Sequence, residues 1–184
     1  MAKYAANLMS DTKVRTGKVR LSYAHLFDKY EKSGKYQCQL LIDKDDKDTL
    51  GVIKQAIAAA KEDGKTRLWG GKIPGNLRSP LNDGDDMEEP NENYEGKYYL
   101  NAKSTRKPEV VDLNREFILD PDECYSGCYV RATIVFFPYN NEGKGVGVIL
   151  NNVQKLDDGD RLGGSTASAE DDFDDEDGDD DLMA

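Results

Sequence analysis

Two groups of side chains in this sequence have the types and spacing for bond-making or metal chemistry. The stretch NDGDDMEEPNE (82–92) gathers Asp83, Asp85, Asp86, Glu88, Glu89 and Glu92, and clustered carboxylates are what a two-metal nuclease site requires. Such carboxylates are normally fixed on strands or helix ends, whereas these fall among Gly, Pro and Asn, so a solvated loop is the expectation. The frame is not that of an EF-hand either: the twelfth position counted from Asp83 is Tyr94, where a bidentate Glu is needed. The second group is Cys124 and Cys128 in CYSGC, with Cys38 and His25 elsewhere. A structural zinc site normally shows two close pairs, and here one pair meets two scattered residues, so the thiols read as small buried hydrophobes. His25 is the single histidine, which leaves a Ser or Cys nucleophile no second choice of base. The expectation is a protein that is not an enzyme, with no catalytic residue, metal or cofactor.

A third group suits binding rather than reaction. Lys13, Arg15, Lys18 and Arg20 cluster near the N-terminus; Lys97, Lys103, Arg106 and Lys107 surround KYYLNAKS; Arg131 lies in YVRATIVFFPY. Tyr99, Phe137 and Tyr139 interleave with these cations, and Trp69 stands in RLWGGK between Arg67 and Lys72. Cations that track phosphates and π-faces that stack unpaired bases are the requirements of single-stranded nucleic acid, each stack contributing roughly 1–3 kcal/mol. For Trp69 the competing reading is a plug for the end of a barrel.

Period-2 alternation supplies the elements that would hold these residues. In KVRLSYAHLF (18–27), Val19, Leu21, Tyr23 and Phe27 fall on one face and Lys18, Arg20 and Ser22 on the other. KYQCQLLI (35–42) alternates likewise, with Tyr36, Cys38, Leu40 and Ile42 inward, and DKYEKSG between them predicts a hairpin. Leu50, Ile53, Ile57 and Ala60 then recur at helical spacing, with Asp48 or Thr49 as cap and Gly64 as stop. Residues 65–96 show no sustained period. Strands resume at 97–104, 110–113, 129–139 and 146–156, with NNEGKG (140–145) as the last turn. In the third of these, Val130, Ala132, Ile134 and Phe136 point inward and Tyr129, Arg131, Phe137 and Tyr139 outward. Five or six strands around one helix predict a mainly β fold, an OB-like Greek-key barrel with the helix after the second strand; a β-sandwich is the structural alternative.

The chain ends in EDDFDDEDGDDDLMA (170–184). From Asp157 onward there are 13 acidic residues and one basic, which leaves residues 1–156 nearly neutral, with 24 basic and 23 acidic. The expected division is therefore a folded body (1–156), a linker (157–169) containing LGGSTASA, and an acidic tail (170–184) too charged to fold. No apolar run reaches membrane-spanning length and MAKYAANLMSDTK lacks the apolar segment of a signal peptide, so a cytoplasmic protein with reduced thiols is expected.

EGKYYLNAKSTRKPEVVD (95–112), YSGCYVRATIVFFPYNNEGKGVGVILNNVQKL (125–156) and PLNDGD (80–85) together resemble the single-stranded DNA-binding proteins of tailed bacteriophages. The resemblance spans about 20–156, plus the character of the tail. It implies a sequence-independent single-stranded DNA-binding protein of phage replication and recombination, acting in the cytoplasm of an infected bacterium. It also implies a tail that lies over the DNA groove and recruits DNA polymerase and helicase or primase. Tails of this kind commonly end in an aromatic residue; here Phe173, or Leu182 with Met183, would have to serve. Oligomeric state is open between monomer and homodimer. The rival account is an acidic interaction protein or DNA mimic that touches no nucleic acid; the outward Lys, Arg and aromatic residues weigh against it. RNA is separated from DNA only by the resemblance, because stacking alone does not read a 2′-hydroxyl.

Overall fold

A computed structural model describes residues 4–162. The alternating segments form the strands of one sheet that closes on itself. β1 (Asn7–Leu8) and β2 (Lys13–Arg15) precede β3 (Val19–Tyr30) and β4 (Lys35–Asp43), followed by α1 (Lys47–Arg67). After a long loop come β5 (Asn82–Asp83), a 3₁₀ turn (Glu92–Tyr94), β6 (Lys97–Ser104), β7 (Glu109–Val111), β8 (Tyr129–Asn140) and β9 (Lys144–Asp157). β3 pairs antiparallel with β4, β4 with β6, β8 with β9 and β8 with β3, while β6 runs parallel to β9. That circuit of five strands is an OB barrel, with the helix inserted after its second strand as the alternation predicts.

The interior is built by the inward faces. Leu21, Leu40, Ile42, Leu100, Ala102, Val130, Ala132, Ile134, Phe136 and Leu150 are almost wholly buried, and Leu50, Ile53, Ile57 and Ala60 of α1 join them. Phe136 is among the largest fully buried side chains. Phe136→Ala is therefore expected to destabilise the fold by about 3–5 kcal/mol through lost transfer energy and the cavity left behind, read as a lower urea midpoint with unchanged slope.

Four expectations need correction. The alternation of β3 breaks at an irregularity between Ser22 and His25. Ser22 turns inward, while Tyr23 takes φ 44° and is 62 % exposed instead of buried. Leu26, and not Phe27, then fills the interior. Tyr36 likewise is only half-buried, with Lys29 over its ring.

α1 is capped two residues before Asp48, by Asp46, whose carboxylate accepts from Thr49 N at 3.0 Å. It also runs through Gly64 to Arg67. Gly64 is a contact glycine: a Cβ there would lie 2.7 Å from the Trp69 ring and from Pro138.

Trp69 is 6 % exposed and donates from Nε1 to Tyr139 O at 3.2 Å. It plugs the space between α1 and β8 and does not offer a free ring for stacking.

The fourth correction concerns where the body ends. β9 reaches Asp157, and residues 158–162 are strapped to the barrel: Arg20 donates to Asp160 O at 2.7 Å, Tyr125 Oη to Gly159 O at 3.0 Å and Leu162 N to Ser126 O at 2.9 Å. The division expected after residue 156 thus falls inside the last strand. The remainder of the linker and the acidic tail, with Phe173, Leu182 and Met183, lie outside the described residues.

Candidate nucleic-acid interface

β4 and β6 present their outer faces together. Their register sets Gln37 opposite Lys103, Gln39 opposite Asn101 and Leu41 opposite Tyr99. A groove of about 320 Å³ lies over one part of this face, lined by Tyr23, His25 and Tyr30 of β3, Gln37 and Gln39, Asn91 and Tyr94, and Tyr99 and Asn101. A second, of about 660 Å³, is lined by Lys35, Arg78, Pro80, Asn101, Lys103, Phe137, Tyr139 and Val146 to Ile149. Asn101 belongs to both, so the two run together along β6.

The rings in this groove are held in place. Tyr94 is buried, and its hydroxyl joins Ser22 Oγ at 3.0 Å and donates to Gln39 Oε1. Burial pushes the Tyr94 phenol above its ordinary value, so it stays a neutral donor. Tyr99 meets it edge-on with ring centroids 5.2 Å apart, a favoured aromatic geometry.

Phe137 and Tyr139 sit directly opposite Gly147 and Gly145 on β9. A Cβ on Gly147 would lie 2.5 Å from Phe137 Cζ, and one on Gly145 would lie 2.5 Å from Tyr139 Oη. The glycines of GKGVGV therefore let both rings lie across the neighbouring strand, as aromatic residues do over glycines in sheets. Gly147→Val is expected to lift the Phe137 ring off β9 with little loss of fold stability, because the ring end can swing aside. The change should appear as a shifted Phe137 ring resonance and weakened ligand binding.

Charge in the groove is one-sided. Among the described residues, no ion pair involves Lys35, Arg78 or Lys103. The other cations singled out in the sequence are distributed differently. Lys18 pairs with Asp157 at 2.7 Å and Lys97 with Asp43 at 2.6 Å. Arg20 spends its donors on Gly127 O and Asp160 O. Arg106 and Lys107 are exposed in the turn after β6, next to Thr105 of the groove lining. Lys13, Arg15 and Arg131 lie on the β2–β8 face and line neither part of the groove. The structure thus brings together Lys103, Tyr99, Phe137 and Tyr139 and adds Tyr23, Tyr94, Lys35 and Arg78, which sequence reasoning missed. Arg78 arrives because the loop after α1 folds back on β9, its N–H donating to Lys144 O and its carbonyl accepting from Val146; nothing in the local pattern marks that return.

The carboxylate-rich loop is organised around a cation. Lys44 Nζ lies 2.7 Å from both Asp83 and Asp85, and Asp85 also accepts from Gly96 N. Hydrogen bonds from Lys44 hold both carboxyls below the usual carboxylate range. Groups depressed in this way stabilise the fold above their ordinary pKa near 4 and lose that contribution as pH falls through the lower folded values. Lys44→Met at neutral pH, or acidification of the unmodified protein below about pH 4, is therefore expected to expose the 83–96 loop to faster proteolysis. Among the described residues no three His, Cys, Asp or Glu side chains are placed to share a metal ion. The cysteines are all free and buried, with Cys124 and Cys128 sulfurs 4.0 Å apart. Burial pushes Cys38 up to about 12.

Fold and groove together define an OB-fold protein whose open face carries aromatic rings beside cations that, among the described residues, have no ion-pair partner. Comparison with known proteins places it more narrowly. The family described as Enterobacter phage Enc34, ssDNA-binding protein matches residues 12–183, and the chain belongs to that family. It is 34% identical over 177 residues to protein p50 of Acyrthosiphon pisum secondary endosymbiont phage 1, covering 89% of this chain and 93% of that one. The solved single-stranded DNA-binding protein of bacteriophage Enc34 aligns with TM-score 0.68 and 26% identity, covering 94% of this chain and 99% of its own. The same phage protein in complex with ssDNA aligns with TM-score 0.69 and 27% identity, covering 89% and 100%. Gp2.5 of bacteriophage T7, a single-stranded DNA-binding protein, shares 17% identity at TM-score 0.58 over 87% of this chain and 99% of its own, a likeness of fold alone. Among the described residues no helix is long and apolar enough to cross a membrane.

Proposed function

We propose that this protein binds single-stranded DNA without regard to sequence and performs no catalysis. The observation that carries the reading is the groove along β6, where Tyr23 and Tyr99 line one part and Phe137 and Tyr139 line the other together with Lys35, Arg78 and Lys103, cations that among the described residues have no carboxylate partner. Rings at successive points along an extended site accept bases of any identity, since every base has a π-face. The unpaired cations meet phosphates without first breaking an ion pair. Membership in a family named for ssDNA binding supports the same ligand. Lys103 is thus assigned to phosphate, with Arg106 and Lys107 as an extension beside Thr105.

The wider setting follows from the resemblance: coating of exposed template during phage replication and recombination in the host cytoplasm. The acidic tail would compete with DNA for the groove and recruit DNA polymerase and helicase or primase. A tethered polyanion sits at an effective concentration on the order of millimolar, enough to screen out weak ligands and be displaced by tight ones. Photocrosslinking an oligo-dT carrying 5-iodouracil to the full-length protein tests the site. Adducts are expected on Tyr99, Phe137 or Tyr139; adducts confined to other faces would reject it.

A further inference from the structure

The β2–β8 face carries a pocket that the DNA groove does not use. It measures about 180 Å³ and is lined by Val111, Ala132 and Val153, with Arg15, Arg115 and Arg131 among its other walls. Among the described residues no ion pair involves any of the three arginines. Arg15 donates to the neutral Asn7 side chain at 3.0 Å, and Arg131 lies against the Tyr4 ring, 5.7 Å from its centroid. Arg131 Nε is buried with no hydrogen-bond partner among the described residues. Burial first, and the charge of Arg15 second, hold its guanidinium below its ordinary value. Three guanidiniums around a small apolar pocket, with a buried donor left over, call for a ligand that is both apolar and multiply anionic; an unmade buried donor is costly.

The chain itself contains such a ligand. Phe173 is flanked by Asp171 and Asp172 on one side and by Asp174, Asp175 and Glu176 on the other. The last described residue, Leu162, is pinned to Ser126 just before β8 begins at Tyr129, and Arg131 is two residues further on. Ten residues lie between Leu162 and Phe173, a reach of up to about 36 Å when extended.

We propose that the acidic tail docks on its own body at this pocket, Phe173 entering between Val111 and Val153 while the flanking carboxylates pair with Arg15, Arg115 and Arg131. This seat lies off the groove, so the tail divides itself between the two, and a seated tail leaves the groove open to DNA. The seat does not depend on what the groove binds.

The test uses the full chain with Phe173 replaced by the photoreactive p-benzoylphenylalanine. Crosslinks are mapped by mass spectrometry, with and without an oligo-dT whose binding is followed by anisotropy in the same samples. The expected result is an intramolecular crosslink to the segments at 111–115, 131–133 or 152–154 that persists when DNA is bound. It should fall about tenfold in Arg15→Glu/Arg115→Glu, the size expected when two exposed ion pairs at up to about 1 kcal/mol each become repulsive. Both substitutions sit outside the groove. A crosslink confined to groove segments, one joining two copies, one abolished by bound DNA, or one unchanged in the double variant would overturn the proposal. Absence of DNA binding in the anisotropy channel would count against the groove reading and leave the crosslink map to decide the seat.

Discussion

Full-length protein carrying Tyr99→Ala and Phe137→Ala is expected to bind an oligo-dT at least about 30-fold more weakly, the loss of two stacks at roughly 1 kcal/mol or more each. The two rings sit in separate contact pairs, Tyr99 with Tyr94 and Phe137 with Tyr139, so their losses should add. Both side chains are only partly buried, and the barrel interior does not depend on them; circular dichroism and the urea midpoint should move little. Phe136→Ala reverses the pattern, with a large loss of stability at a residue one position away whose ring faces inward. If the double variant binds as tightly as the unmodified chain while remaining folded, stacking in this groove is not the source of affinity.

Removal of residues 163–184 is expected to tighten binding about tenfold at low salt, as loss of a tethered competitor should. The deleted segment holds ten carboxylates and no cation. The cut belongs after Leu162 and not after Leu156, because Asp160 and Leu162 are hydrogen-bonded to Arg20 and Ser126 and an earlier cut would open the start of β3. The difference between the two forms should close near 1 M salt, where the screening length shrinks to about 3 Å. Titration of labelled oligo-dT with both forms at several salt concentrations measures this. Equal affinity at low salt would remove the tail from the groove and reduce it to an adaptor.

The barrel was legible in the sequence wherever one face of a strand is buried and the other is not. Val130, Ala132, Ile134 and Phe136 against Tyr129, Arg131, Phe137 and Tyr139 is such a case, and the helical spacing of Leu50, Ile53, Ile57 and Ala60 is another. The candidate site was legible where it rests on that alternation, at Tyr99, Lys103, Phe137 and Tyr139. Tyr23 was not, because the irregularity after Ser22 reverses which side chains face the core, and period-2 reasoning carries straight through such a break. Two- and three-residue strands such as β1, β2 and β5 are too short to show any period. Arg78 and Tyr94 enter the groove through a loop whose path is fixed by long-range hydrogen bonds. Clustering of cations along the chain does not show which of them are paired in the fold: Lys18, Lys97 and Arg20 meet acidic or carbonyl partners distant in sequence.

A locally positive, aromatic groove in a body of nearly zero net charge should hold a single strand through its phosphates and bases. Anisotropy of a labelled oligo-dT titrated with full-length protein from 50 to 200 mM salt, without metal or nucleotide, tests it most directly. Binding is expected, with an affinity that falls at least about 20-fold across that range: a log–log slope of about −2 from Lys35, Arg78 and Lys103 on a single strand, steeper if Arg106 and Lys107 also reach phosphates. No binding at the low-salt end, or binding indifferent to salt, would contradict it and turn attention to an acidic protein that works through other proteins.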